Sequence, residues 1–268
     1  MKSFLMCEPK FFDVCYVINP WMEGNLGKVD KALAKQQWQN LYDIVAGLAS
    51  VSLIAPVEGL PDMVFTANAG LVHNNDVIVS SFLHAERQPE AGHFEKFFSS
   101  QGYTIHYLQQ GTIFEGAGDA LLDSSGRLWF GSGIRSDAHA LDEIIAVFDK
   151  GCGVEVRGLE LVDLHWYHLD TAFCPLPQGQ ALANAKAFSA KSVAALDEAF
   201  GASIIWVPEA DAKNFACNAV AIGQAIIMHK ASPGLKDALE QRGYEVIETD
   251  VSEFLKAGGA CKCLTLEI

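Results

Sequence analysis

Short apolar runs with strand character recur along the chain: FDVCYVIN, VSLIAPV, VFTANAGLV, DVIVSSFL, RLWFGSG, HLDTAFCPL, SIIWVP, NAVAIGQAIIM and CLTLEI. Between them, apolar residues fall three and four apart over Val29 to Ser50, Gly92 to Gln101, Asp137 to Phe148, Lys186 to Phe200 and Pro233 to Arg242, a spacing that predicts helices. Gly102, Gly201 and Gly243 close three of these helices. The chain therefore reads as α/β, with strand pairs separated by single helices.

The strand pairs repeat. NAGLVHNNDVIVSS, DALLDSSGRLWFGS, DTAFCPLPQGQALANA and NAVAIGQAIIMHK each open with Asn or Asp, pass through small and apolar residues to a polar turn, and end in a second apolar strand. The opening residues Asn68, Asp119, Asp170 and Asn218 are 51, 51 and 48 residues apart. Asn19 lies 49 residues before the first, and the fifth interval lands near Thr265. Five such units account for residues 1–268, read as one domain. A strand-rich unit with a single helix cannot bury both its faces alone, so five in succession should close around a central axis. Polar residues one period apart would then meet in one pocket. Turn chemistry by itself also favours Asn and Asp at hairpin starts, so the period leaves both readings open.

Half of the residues are apolar, enough for a substantial core. No apolar run approaches the roughly 18 residues that a membrane helix needs, and MKSFLMCEPK lacks the parts of a secretory signal. The expectation is a complete cytoplasmic protein. Its seven cysteines are odd in number, scattered and without a CxxC pair, which predicts reduced thiols rather than disulfides or a zinc site. The net charge of −14 opposes nucleic-acid binding and favours a small cationic ligand.

At or beside the periodic positions stand Asn19, Phe65, Asn68, Glu115, Asp119, His168, Asp170 and Cys263. Together they offer a nucleophile, an acid/base and carboxylates, with no ligand cluster spaced for a metal. A thiolate among carboxylates needs a cation between them. A guanidinium is planar, always charged and matched to carboxylates in pairs of N–H groups. Taken singly, each residue has an ordinary structural explanation, a buried cysteine as a small hydrophobe and an Asp as a turn cap. Their common register is the argument for a joint role.

FEGAGD, HLDTAF and the terminal GGACKCLT resemble, in the same order and over essentially the whole chain, the guanidino-group-modifying enzymes. These are the arginine and agmatine deiminases, the dimethylarginine dimethylaminohydrolases and the amidinotransferases. The resemblance implies a five-bladed α/β propeller, the pentein fold, built of ββαβ modules with pseudo-fivefold symmetry. It also implies an active site on the axis with no metal or cofactor. It makes Cys263 the nucleophile, His168 the acid/base, Glu115 its carboxylate partner and Asp170 a guanidinium-binding acid, and leaves Cys261 at a variable position. Arg135 in GSGIRSDAHAL and Arg87 in SFLHAERQP match two arginines that hold the substrate carboxylate, the latter from a mobile loop.

The departures narrow the resemblance. Where related enzymes carry an acid, FTAN places Asn68, whose neutral amide can grip a guanidinium N–H or a ureido carbonyl. With EPKFFDVCYVINPWM this is similar to the ammonia-producing arginine dihydrolases, which take arginine through citrulline to ornithine. Asn19 and Asn68 would then hold the ureido group. The alternatives are a hydrolase stopping at citrulline, from arginine or methylated arginine, and an amidinotransferase. FEGAGD is one residue longer than the EGGD of many deiminases, which leaves Asp119 without an assigned role. The expected partner is a small guanidino compound, not nucleic acid or membrane. A homo-oligomer stays open.

Overall fold

The computed structural model describes residues 2–148 and 154–268, so Cys152, one of the seven cysteines, lies outside the described residues. In chain order the strands are β1 (Ser3–Cys7), β2 (Ser50–Ile54), β3 (Gly70–His73), β4 (Asp76–Val79), β5 (Thr104–His106), β6 (Ala120–Leu122), β7 (Leu128–Ser132), β8 (Val156–Glu160), β9 (Phe173–Leu176), β10 (Gln180–Ala183), β11 (Ile204–Trp206), β12 (Val220–Ile222), β13 (Ala225–Met228), β14 (Glu245–Glu248) and β15 (Leu266–Glu267). They form five three-stranded sheets.

Four sheets repeat one design. β3-β4-β5, β6-β7-β8, β9-β10-β11 and β12-β13-β14 each pair their first two strands antiparallel as a hairpin and the last two parallel. A parallel pair needs a crossover, and the helices Glu90–Ser100, Ala140–Phe148, Ala190–Phe200 and Pro233–Glu240 supply it. The fifth module is assembled from both ends of the chain. β15 pairs antiparallel with β1, which pairs parallel with β2 across the helix Lys31–Leu48, and Lys2 Nζ meets Glu267 at 2.8 Å. This is the five-module ββαβ pentein propeller.

Caps account for the helix starts. Asp30 accepts from the N–H groups of Ala32 and Leu33, so the first helix opens at Lys31 rather than Val29. Lys186 sits in a short turn capped by Asn184, and Ser189 caps the helix proper at Ala190. The outer strands β5, β8 and β14 do not stand out in the apolar pattern because each is largely exposed or half-buried, whereas the central strands β4, β10 and β13 are almost wholly buried.

FDVCYVIN is not a strand, which corrects the expectation. Residues 12–19 pair with no sheet, and the first strand is SFLMC. The alternation arises because Phe12 and Val14 are buried in turn, Phe12 stacking on Phe254 at 4.8 Å and meeting Phe65 edge-on at 5.7 Å. Asn19 consequently precedes a 3-10 turn, Pro20–Met22, and not a strand, so it falls outside the fivefold register.

Candidate active site

The periodic residues do converge. Asn68, Asp119, Asp170, Asn218 and Cys263 each lie one to three residues before the first strand of a module, respectively β3, β6, β9, β12 and β15, and all are buried. Five equivalent strand ends thus deliver five polar side chains to the axis.

Cys263 is held by two of the others. Asn218 Nδ2 donates to its Sγ at 3.1 Å, and the thiol faces Asp170 Oδ2 at 3.4 Å. Asn218 Oδ1 also accepts from the N–H groups of Ala260 (3.0 Å) and Cys263 (3.1 Å), and its Nδ2 donates to the Asp170 carbonyl at 3.0 Å. One amide therefore ties the Cys263 loop to the turn that carries Asp170. The sequence pattern marked Asn218 as periodic without giving it a function. FTAN is fastened to the same loop, because the Ala67 N–H donates to the Cys263 carbonyl at 3.1 Å. Gly259 lets Phe65 lie on the loop, since a Cβ there would come within 2.5 Å of its ring. Cys261 is buried and its thiol is pushed up to about 12 by burial.

His168 stands two residues before Asp170 and immediately ahead of the turn Leu169–Ala172. Its Nε2 meets Glu115 Oε2 at 2.6 Å, and Arg135 Nη1 donates to the same oxygen at 2.9 Å. Burial alone would raise the Glu115 carboxyl, but the Arg135 charge and the His168 bond outweigh it and hold the group well below the usual carboxylate range. Asp119 supports this pair from behind. It accepts from Ser136 Oγ at 2.7 Å and from the Leu169 N–H at 3.0 Å, while Ser136 Oγ accepts from the Glu115 N–H at 3.0 Å. The residue left unassigned by the sequence thus fixes the backbone of both Glu115 and the His168 turn.

The remaining residues form a third cluster. Asn68 Nδ2 donates to the Glu115 carbonyl at 2.9 Å and its Oδ1 accepts from Arg87 Nη1 at 2.9 Å. Arg87 is only 3% exposed and clasps Glu90 with Nε at 3.0 Å and Nη2 at 2.8 Å. It is therefore an internal ion pair here and not a side chain at an exposed loop tip, because a buried guanidinium requires a counter-charge. Arg135, 4% exposed, likewise spans Glu115, the Ile18 carbonyl at 2.9 Å and the Tyr167 ring at 4.6 Å. Asn19 is committed to the backbone, accepting from Trp21 and Met22 and donating to the Ala257 carbonyl. Asp62, which no motif marked, lies buried beside Arg87 with its Oδ2 bonded to the Tyr16 hydroxyl at 2.9 Å and its Oδ1 without a partner among the described residues.

The electrostatics favour a cation. Burial raises Asp170 to about 7, offset in part by the charge of Lys262. Burial and the facing Asp170 push the Cys263 thiol well above its ordinary value, so the resting sulfur is protonated. A positive charge beside the two groups would oppose both effects. Among the described residues no group of three His, Cys, Asp or Glu side chains is arranged to hold a metal ion, and no helix is long and apolar enough to cross a membrane.

This arrangement is that of the guanidino-group-modifying superfamily. Residues 25–268 match the family described as N,N dimethylarginine dimethylhydrolase, eukaryotic, and the chain belongs to it. The chain is 49% identical over 267 residues to the bifunctional arginine dihydrolase/ornithine cyclodeaminase AgrE of Nostoc sp., covering 99% of this chain and 37% of that protein. It therefore spans little more than a third of that relative's length. It is 39% identical over 268 residues to the N(G),N(G)-dimethylarginine dimethylaminohydrolase of Mycobacterium tuberculosis, covering 100% of this chain and 86% of that protein. The crystal structure of the N-terminal domain of ArgZ, an arginine dihydrolase from the ornithine-ammonia cycle in cyanobacteria, was solved as a mutant bound to substrate. It superposes with a TM-score of 0.97 at 46% identity, covering 100% of this chain and 98% of that one. Another variant of that domain, also with a TM-score of 0.97, is covalently bound to a reaction intermediate.

Proposed function

We propose that this chain hydrolyses the guanidinium group of free arginine through a covalent adduct on Cys263, taking arginine and two waters to ornithine, two ammonia and carbon dioxide. The observation that carries the reading is the Cys263 sulfur at 3.4 Å from Asp170, in a turn immediately preceded by His168, which is paired with Glu115.

Arginine enters with its guanidinium against Asp170. The cation lowers the thiol's proton affinity, the thiol proton passes to His168, and the thiolate attacks the central guanidinium carbon. His168 gives a proton to the departing ammonia, leaving a thiouronium on Cys263. Deprotonated His168 then activates water, which adds to the same carbon and expels the sulfur, yielding citrulline. Glu115, kept ionised by Arg135, stabilises the imidazolium that precedes ammonia departure and forms again when His168 takes a proton from water.

In the second cycle the neutral ureido group takes the place of the guanidinium. Asn68 suits both substrates because an amide offers an acceptor and donors without charge. Attack by Cys263 expels the second ammonia, water releases a carbamate, and the carbamate loses carbon dioxide to give ornithine. Arg135 and Arg87 attract the substrate carboxylate, each exchanging part of its internal pairing for it, and Asn19 shapes the wall through the backbone it binds. A cytoplasmic location is part of this reading, since a thiol nucleophile must stay reduced to work.

The dihydrolase relative at 49% identity supports this reading over a single cycle. Membership of the dimethylarginine family favours a second reading, release of dimethylamine from dimethylarginine with citrulline as the end product. Steady-state product analysis decides between them. Ornithine with two ammonia per arginine consumed is the expected outcome; stoichiometric citrulline without ornithine contradicts the two-cycle reaction.

A further inference from the structure

A cavity of about 650 Å³ is lined by the first strand of every module, including Leu71, Ala120, Phe173, Val220 and Leu266. The residues that form the catalytic cluster lie just before these strands, so the cavity shares their axis. Its walls are mostly apolar and its size is in the range of small-molecule sites, roughly 300–1,000 Å³. Lys262, the residue between the two cysteines, also lines it.

The charged side chains in the lining differ in their pairing. Asp123 and Glu267, the two carboxylate side chains in the lining, are both engaged: Glu267 with Lys2 at 2.8 Å, Asp123 with Arg127 at 3.6 Å and Trp129 Nε1 at 2.9 Å. Lys262 has no carboxylate within 4.0 Å among the described residues, and its Nζ donates to the Thr265 carbonyl at 3.3 Å. Lys262 is half-buried, and Asp170, on whose carboxyl its charge acts, is not within ion-pair distance. We infer that this cavity is a second ligand site, for a small monocarboxylate with an apolar body, whose carboxylate pairs with Lys262 and whose tail lies along the inner strands.

The site is wired to the nucleophile. The Lys262 N–H donates to the Asn218 carbonyl at 3.1 Å, and Asn218 Nδ2 donates to Cys263 Sγ at 3.1 Å. Lys262 is also the main charge that offsets burial at Asp170. A bound carboxylate neutralises that charge, so Asp170 keeps its proton to higher pH and holds a guanidinium less well. The ligand therefore acts as an inhibitor that raises KM for arginine. That last step rests on the hydrolase reading; binding at Lys262 does not.

The test is calorimetric titration of octanoate into the intact protein, with octanol and octylamine as neutral and cationic controls. Expected is one saturable site for octanoate, at least tenfold weaker for both controls, at least tenfold weaker in Lys262→Gln, and lost in Ala221→Trp. Ala221 lines the cavity away from the catalytic cluster, so unchanged arginine turnover in Ala221→Trp reports that this variant is folded. Absence of saturable binding overturns the proposal, as does equal affinity in both variants. Octanoate displaced completely by saturating arginine also overturns it, since that places the binding at the catalytic centre, whereas coupled sites leave a weakened but finite affinity.

Discussion

Cys263 and Cys261 are both buried free thiols two positions apart, yet only one faces a carboxylate and an amide across the axis. Cys263→Ser should therefore lower kcat/KM for arginine by about a thousandfold or more while arginine still binds, whereas Cys261→Ser should stay within about threefold. Turnover assays paired with calorimetry check both. Asn218 binds the sulfur and the loop that carries it, so Asn218→Ala should cost about ten- to a hundredfold in kcat, the worth of a hydrogen bond to a charged group. Asp170, raised to about 7 by burial, is protonated below that pH and then cannot pair with a guanidinium. KM for arginine should accordingly rise as pH falls from 8 to 6, by up to about tenfold per pH unit below the transition. A KM flat across that interval would contradict the role given to Asp170.

At the scale of elements, the site depends on close backbone approach as much as on side chains. A Cβ at Gly118 would collide with the Asn68 amide and press on the His168 ring at 3.4 Å. Gly118→Ala should therefore destabilise the fold by about 1–3 kcal/mol and reduce activity more than the stability loss explains, because both displaced groups belong to the buried cluster around Glu115. Thermal melts alongside kinetics separate the two effects. The hairpins and crossover helices were legible in the sequence, since the central strands are buried on both faces and the helices carry apolar stripes. The outer strands were not, because β5, β8 and β14 are exposed enough to read as loops. FDVCYVIN misled for the opposite reason: its alternation reflects burial of Phe12 and Val14 against an aromatic cluster without any ladder partner.

For the whole molecule, the period of about fifty residues carried the main information, because strand ends one period apart must meet when five modules close. Cys263, His168, Glu115, Asp119, Asp170 and Asn68 were found that way or by motif. Asp62, Glu90 and the structural use of Arg87 were not, since a buried counter-ion shows only once the ring has closed. Burial raises Asp119 to about 6 and Asp170 to about 7, both from 3.8, so the native state holds protons that the unfolded chain has released. Their contribution to stability falls as pH rises through that window. Glu115, held below its usual 4.5, contributes in the other direction, and its share is lost as pH drops below that value. Calorimetric melts should thus lose stability as pH rises from about 4 to about 7 and level off above that, while protonation of Glu115 opposes the gain below about pH 4.5. Closure by β15 is equally testable: Leu266, buried at the seam with β1, should cost about 2–5 kcal/mol when cut to alanine. The account as a whole turns on one sulfur attacking a guanidinium carbon. Mass spectrometry of protein quenched during arginine turnover should find the added carbon unit on the peptide carrying Cys263 and on no other thiol. Full turnover with Cys263 unmodified at every time point, or an adduct on Cys261 instead, would contradict it.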